Sequence, residues 1–367
     1  MTKLKHIVFL VLIGISGLFS MDKEFEKGFD LFYNYRFDEA IDYFKDKMQD
    51  SEDPFPFYAF YSYANIRSDL ANAYYDNASE NADKIIMIYK PIFENYLKDN
   101  PEDVDAQFYY TVLLAGKMRI YLNKMEYLKI MKEAPKILSN KVIIDRQTDK
   151  EYIEMKFGTG SFDYYLSVVG GNFGMTNLFS STKSDGITDL WDAYRNGEFS
   201  KWEAAVVLMY IYLYDKMDYD TCLGLYTDFL NKFPDNLEVL SIAAECSYYQ
   251  ERWMEGDKYR QRIQKLIKHG GVLHDSRGWD ARQAYLNGVR AMLKEDNIDA
   301  LNYFNDAYEM DAIEYSWYRS ILLKYTADVY LKMGMTRTAK LYYEKAAGSL
   351  EISPHVREAK DILKTLK

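Results

Sequence analysis

The chain has 367 residues, 48% of them apolar, with 46 lysines and arginines against 56 aspartates and glutamates, for a net charge of −10. Length and apolar share suffice for two domains or for one elongated repeat array with a continuous core. The acidic balance excludes a surface built to hold nucleic acid or anionic lipid.

At the start, Lys3 and Lys5 precede an uncharged run from Ile7 to Phe19. A basic segment and a short apolar one form the layout of a secretory signal, and the run is too short for a comfortable membrane span. Residues 1–20 are therefore expected to be removed, with the mature chain starting close to Met21 or Asp22. Loss of Lys3 and Lys5 leaves 44 basic against 56 acidic residues, a net charge of −12. No cysteine follows the run, so lipid attachment at a new N-terminal Cys is not available. The expectation is an exported protein, periplasmic or associated with the cell envelope, without a transmembrane span in its mature form.

Residues 22–141 read as irregular helical repeats. Gly28, Ala40 and Phe44 mark a first helix pair, and Phe55–Leu70 with Asn81–Leu97 a second, with Asn81 or Asp83 as cap and Asn100-Pro101 as stop. Val104–Leu122 and Met125–Leu138 make a third, in which Pro135 predicts a kink or an early end. From 142 to 200 the spacing is lost. Gly158 and Gly160 are not a dinucleotide fingerprint, because no strand precedes them, Asp163 stands where a third glycine belongs, and no Lys-Ser/Thr follows. They predict close helix packing, with a buried helix over Phe162–Val169 that Gly170-Gly171 ends.

Residues 201–367 carry the clearest pattern. In Val206–Pro234, apolar residues at Val206, Met209, Tyr210 and Leu213 recur at helical spacing, and the pattern resumes at Cys222, Tyr226 and Phe229 after a polar break. Pro234 closes the second helix. The same register, a small residue followed by another twelve positions on and a large one four further, recurs as Gly28/Ala40/Phe44, Tyr210/Cys222/Tyr226, Ala244/Gly256/Arg260, Gly288/Ala300/Phe304 and Ala327/Ala339/Tyr343. Small residues at both contact points let two antiparallel helices approach closely. The pattern resembles the tetratricopeptide repeat (TPR), whose period is about 34 residues, and the resemblance implies an all-α solenoid of helical hairpins. Residues 157–210, through Asp185-Gly186-Ile187-Thr188-Asp189-Leu190, also resemble the central part of the eukaryotic TPR family that includes the yeast inclusion-body clearance protein. That likeness implies a non-catalytic helical protein.

Signatures of chemistry are absent from the sequence. His6, His269, His274 and His355 lack metal-site spacing, no Ser or Cys has a nucleophile's context, and no cofactor motif is present. Cys222 and Cys246 read as small core residues, although export and adjacent helices also permit a bridge. The TPR peptide-carboxylate clamp places basic and amide side chains at the fifth and ninth positions of each repeat. Here those positions hold Phe25 and Phe29, Val207 and Ile211, Ser241 and Glu245, Tyr285 and Val289, and Lys324 and Asp328. An aromatic, acidic groove is expected instead, with Tyr248, Tyr249, Tyr285, Glu245 and Tyr214 as its anchors for a protein or peptide partner. The same aromatics equally suit burial against one another or against a central insertion. A binding protein for a small molecule or glycan, and then an enzyme, are the alternatives to a partner-binding scaffold.

Overall fold

The computed structural model describes residues 23–72, 74–148, 152–173, 182–269, 273–310, 318–351 and 353–366. The expected signal segment lies outside them. The described residues are all-helical, in seventeen α-helices: α1 Lys23–Tyr33, α2 Phe37–Asp50, α3 Phe55–Ala71, α4 Tyr75–Asp99, α5 Val104–Asn123, α6 Tyr127–Gln147, α7 Met155–Phe173, α8 Lys183–Asn196, α9 Lys201–Tyr210, α10 Tyr219–Lys232, α11 Leu237–Tyr249, α12 Trp253–His269, α13 Arg277–Leu293, α14 Asn297–Glu309, α15 Tyr318–Lys332, α16 Thr336–Ala347 and α17 Pro354–Thr365. No helix among them is long and apolar enough to cross a membrane. Neighbouring helices pack in pairs, and α11 also touches α9 and α13 while α13 touches α15, so first helices of successive pairs meet along one face.

The hairpin turns repeat one backbone device. Tyr35, Met217, Glu251, Glu295 and Gly334 all have positive φ, and each lies seven positions after the first small residue of its register (or Tyr210). Met125 does the same between α5 and α6. A left-handed residue after the last helical turn lets the next amide reach back to the helix's free carbonyls. Arg36 N–H donates to the Leu31 carbonyl at 2.9 Å, Glu126 to Tyr121 at 2.8 Å, Arg252 to Ser247 at 2.8 Å, Asp296 to Ala291 at 3.0 Å and Met335 to Tyr330 at 2.9 Å. The exception follows α9. There the chain enters a π-turn over Ile211–Asp215, and Asp218 reaches one residue further back, to Tyr212. This widening occurs in the repeat that has Tyr210 where the others have Gly or Ala. Side chains start the following helices: Asp218 accepts from Thr221 N–H at 3.0 Å and Asn236 from Val239 N–H at 2.9 Å.

The contact points behave as their sizes dictate. A Cβ on Gly28 would stand 2.4 Å from the Phe44 ring, and one on Gly288 2.4 Å from Phe304. Ala327 and Ala339 are both fully buried. Several local expectations are corrected. Helix α4 starts at Tyr75, and neither Asn81 nor Asp83 caps it: Asn81 donates to Asp69 and Asp83 pairs with Lys117. Pro135 does not end α6, which runs on to Gln147, and Gly170-Gly171 does not end α7. Gly160 does create a close approach, since a Cβ there would lie 2.7 Å from the Gly186 carbonyl of α8, and one on Gly186 equally near the Gly160 carbonyl. Gly158 has nothing within 4 Å of such a Cβ, so packing does not require it.

The first half of the chain lies against the second. Asn236 Nδ2 donates to the Tyr33 carbonyl at 2.7 Å, Asn72 Oδ1 accepts from His274 and Asp275 N–H at 2.7 and 2.9 Å, and Trp279 Nε1 donates to the Ala71 carbonyl at 3.1 Å. At the far end Tyr127 O–H donates to the Leu350 carbonyl at 2.6 Å, and α7 touches α17.

Candidate functional site

Where α3 and α5 meet α9 and α11, four charged side chains leave the surface and enter the interior. Arg67 Nη2 lies 2.9 Å from Glu238 Oε2, and Arg119 spans Glu203 at 2.8 Å and Glu238 at 3.6 Å. Tyr210 O–H donates to the second Glu238 oxygen at 2.9 Å, and Arg119 Nη1 donates to the Tyr63 hydroxyl at 3.1 Å. Burial works against ionising Glu238, but the two guanidiniums outweigh it and hold its pKa at about 2. Burial and the neighbouring Glu203 charge push the Tyr63 hydroxyl up to about 12. Arg119 keeps 26% of its side-chain surface. Half-buried Tyr63, Tyr165 and Tyr210 stand within electrostatic reach of the same charges.

A second cluster continues along α11. Glu238, Ser241 and Glu245 are three and four residues apart and share one helical face. Glu245 is fully buried; Tyr214 O–H donates to one of its oxygens and Tyr285 O–H to the other, each at 2.6 Å. Burial raises the Glu245 pKa. Tyr249 and Tyr325 share a hydroxyl–hydroxyl hydrogen bond, and Tyr249 stacks on Tyr219 with ring centres 5.0 Å apart. His355 of α17 packs on the Tyr214 and Tyr325 rings, at 5.6 and 5.4 Å. Arg282 of α13 donates from Nε to Ser241 Oγ and lies over the Tyr318 ring, its Cζ 3.4 Å from the centre.

Of the expected groove anchors, then, Tyr214, Glu245, Tyr249 and Tyr285 are brought together, but as an interior network. Tyr214, Glu245 and Tyr285 are buried and Tyr249 half-buried, so the face does not stand open to a partner. Tyr248 is separate from them and is a correction. Its ring turns into the α11–α12 hairpin, 2.4 Å from where a Cβ on Gly256 would stand, and its hydroxyl donates to Asp257 at 3.0 Å. Cys222 and Cys246 are both free and fully buried. The sequence reading missed Arg67, Arg119, Glu203, Glu238, Arg282 and His355. The signal for two of them was present, since Glu203 and Glu238 are charges set among apolar residues on the first turn of a first helix.

Both Glu245 oxygens already accept tyrosine hydrogen bonds, which makes this carboxyl a cross-brace between the π-turn after α9, α11 and α13. Among the described residues no group of three or more His, Cys, Asp or Glu is arranged to hold a metal. An open concavity of about 440 Å³ lies instead on the α13–α14 hairpin, lined by Asp280, Gln283, Asn287, Tyr303, Asp306 and Glu309 among others. Its three carboxylates give it the sign of the whole molecule. No family model matches the chain, and no curated protein is similar to it.

Proposed function

We propose that the chain is a TPR-type helical scaffold that binds a protein or peptide partner after export to the cell envelope. The observation that carries the reading is the hairpin turn: its left-handed residue recurs seven positions after the first contact residue in each of five registers, so the repeat is one of geometry as well as of spacing. Repeat units of this kind commonly serve as binding surfaces, because stacked hairpins present extended faces. With the inner face of α11 and α13 taken up by the chain's own tyrosines, the partner belongs on the α13–α14 concavity, and the carboxylates there select a basic segment. The protein is to be isolated with its bound partners from its native host's envelope, beside a variant carrying Asp306→Lys and Glu309→Lys, and both identified by mass spectrometry. A protein partner that the variant and high salt both release supports the reading. A bound small molecule without a protein, or a partner that the variant retains, overturns it. The same preparation reads the N-terminus, and an intact Ile7–Phe19 segment on it would argue against cleavage.

A further inference from the structure

Three arginines enter the interior described above, and they are not in the same state. Arg67 and Arg119 form ion pairs with Glu238 and Glu203, whereas Arg282 forms none with a described residue. Arg282 is 6% exposed, and its Nη1 and Nη2 are buried without a hydrogen-bond partner. Glu245 on the neighbouring helix attracts it electrostatically, but both oxygens of that carboxyl are taken by tyrosine hydroxyls and neither pairs with the terminal nitrogens. A buried guanidinium whose terminal nitrogens have no hydrogen-bond partner is a costly arrangement for a fold to keep.

We propose that Arg282 anchors an internal site for a small oxyanion, a carboxylate or phosphate group, received by its two terminal nitrogens. The guanidinium is already oriented for this. Its Nε is tied to Ser241 and its plane rests on Tyr318, with the Tyr285 ring 5.6 Å away, so the fork that would grip two oxygens is fixed before a ligand arrives. A second unmet nitrogen belongs to the same cluster. His355 is 2% exposed, its Nδ1 lies 3.1 Å from Glu358, and its Nε2 is buried without a partner. When protonated, His355 offers that nitrogen as a further donor. The site is separate from the acidic concavity assigned to a partner, and its failure would leave that assignment standing.

Calorimetric titration of the purified protein with acetate, benzoate and inorganic phosphate, at ionic strength held constant with chloride, tests the proposal. Saturable binding of one equivalent of at least one probe is expected, accompanied by a rise in Tm and weakened tenfold or more in Arg282→Gln. Carboxylates binding with phosphate silent identifies the ligand class as carboxylate, and the reverse as phosphate. Where Arg282→Gln fails to fold, Arg282→Lys decides, since it keeps the charge and loses the fork: it is expected to bind at least several-fold more weakly. Absence of saturable binding by all three probes, or affinity unchanged in the folded variant, overturns the proposal.

Discussion

In the α1–α2 and α13–α14 hairpins the large side chain over the close contact comes from the second helix, as Phe44 and Phe304. In α11–α12 the equivalent position is Arg260, which cannot fill that space, and Tyr248 from the first helix fills it instead. Repeat numbering places a Cα on a side of a helix but does not say which way a ring swings to close a gap, so Tyr248 was not legible as core. Tyr248→Ala should therefore cost about 3–5 kcal/mol, the range for deleting a buried aromatic, whereas Tyr248→Phe should cost about 1 kcal/mol for the Asp257 hydrogen bond; urea denaturation measures both. The contact residues themselves were legible. Ala339→Leu is expected to overpack α15 and α16 by about 1–3 kcal/mol while Lys340→Leu, on the exposed side, changes stability by less than about 0.5 kcal/mol. Equal effects would mean that the register is misplaced.

At the scale of the element, helix existence was readable from periodicity, but helix ends were not wherever tertiary packing overrode a breaker. Pro135 and Gly170-Gly171 lie inside helices whose other residues continue the pattern. Gly160 and Gly158 show how little the glycine alone reveals. Gly160→Ala should lose about 1–2 kcal/mol in thermal or urea unfolding, because its methyl meets the α8 backbone, whereas Gly158→Ala, with open space, should gain up to about 1 kcal/mol from helix propensity. The left-handed turns offer a third test. Glu251 holds φ at 57° with a Cβ that disfavours it, so Glu251→Gly is expected to stabilise the hairpin by up to about 1 kcal/mol, and Gly334→Ala to destabilise its own by a similar amount.

For the molecule as a whole, the sequence made the hairpins visible but concealed what they pack against. Contacts between α3 or α5 and α9 or α11 leave no periodic trace, because each partner's pattern is satisfied locally whichever surface covers it. Their electrostatics are open to measurement. With Glu238 held at about 2 in the folded state against an ordinary 4.5, its pairing contributes about 3 kcal/mol that is present above pH 4.5 and lost as pH falls toward 2. Glu351 has the opposite sign. Burial raises it from 4.5 to about 7, and although it accepts the Ser320 N–H at 2.7 Å, its ionisation costs stability progressively between pH 4.5 and 7. Glu351→Gln should therefore be more stable relative to the parent at pH 7.5 than at pH 5, by about 3 kcal/mol at most, in urea melts at the two values. A pH-independent difference would contradict the burial of that carboxyl.

The hydrogen bonds that join the two halves link residues 203, 202 and 223 positions apart, at Asn236 with Tyr33, His274 with Asn72, and Leu350 with Tyr127. A simple stack of repeats can settle unit by unit as it leaves the ribosome, because each unit needs only its neighbour. Here the opening helices wait for partners about 200 residues downstream, an interval of about 10–40 s at ordinary rates of synthesis. Throughout that time Phe25, Phe29 and Tyr33 have one another and α3 for cover, but lack the Phe199, Phe229 and Phe233 rings that they pack against in the folded chain. The same delay would hold the chain short of its final fold, which is the state that the export proposed above requires.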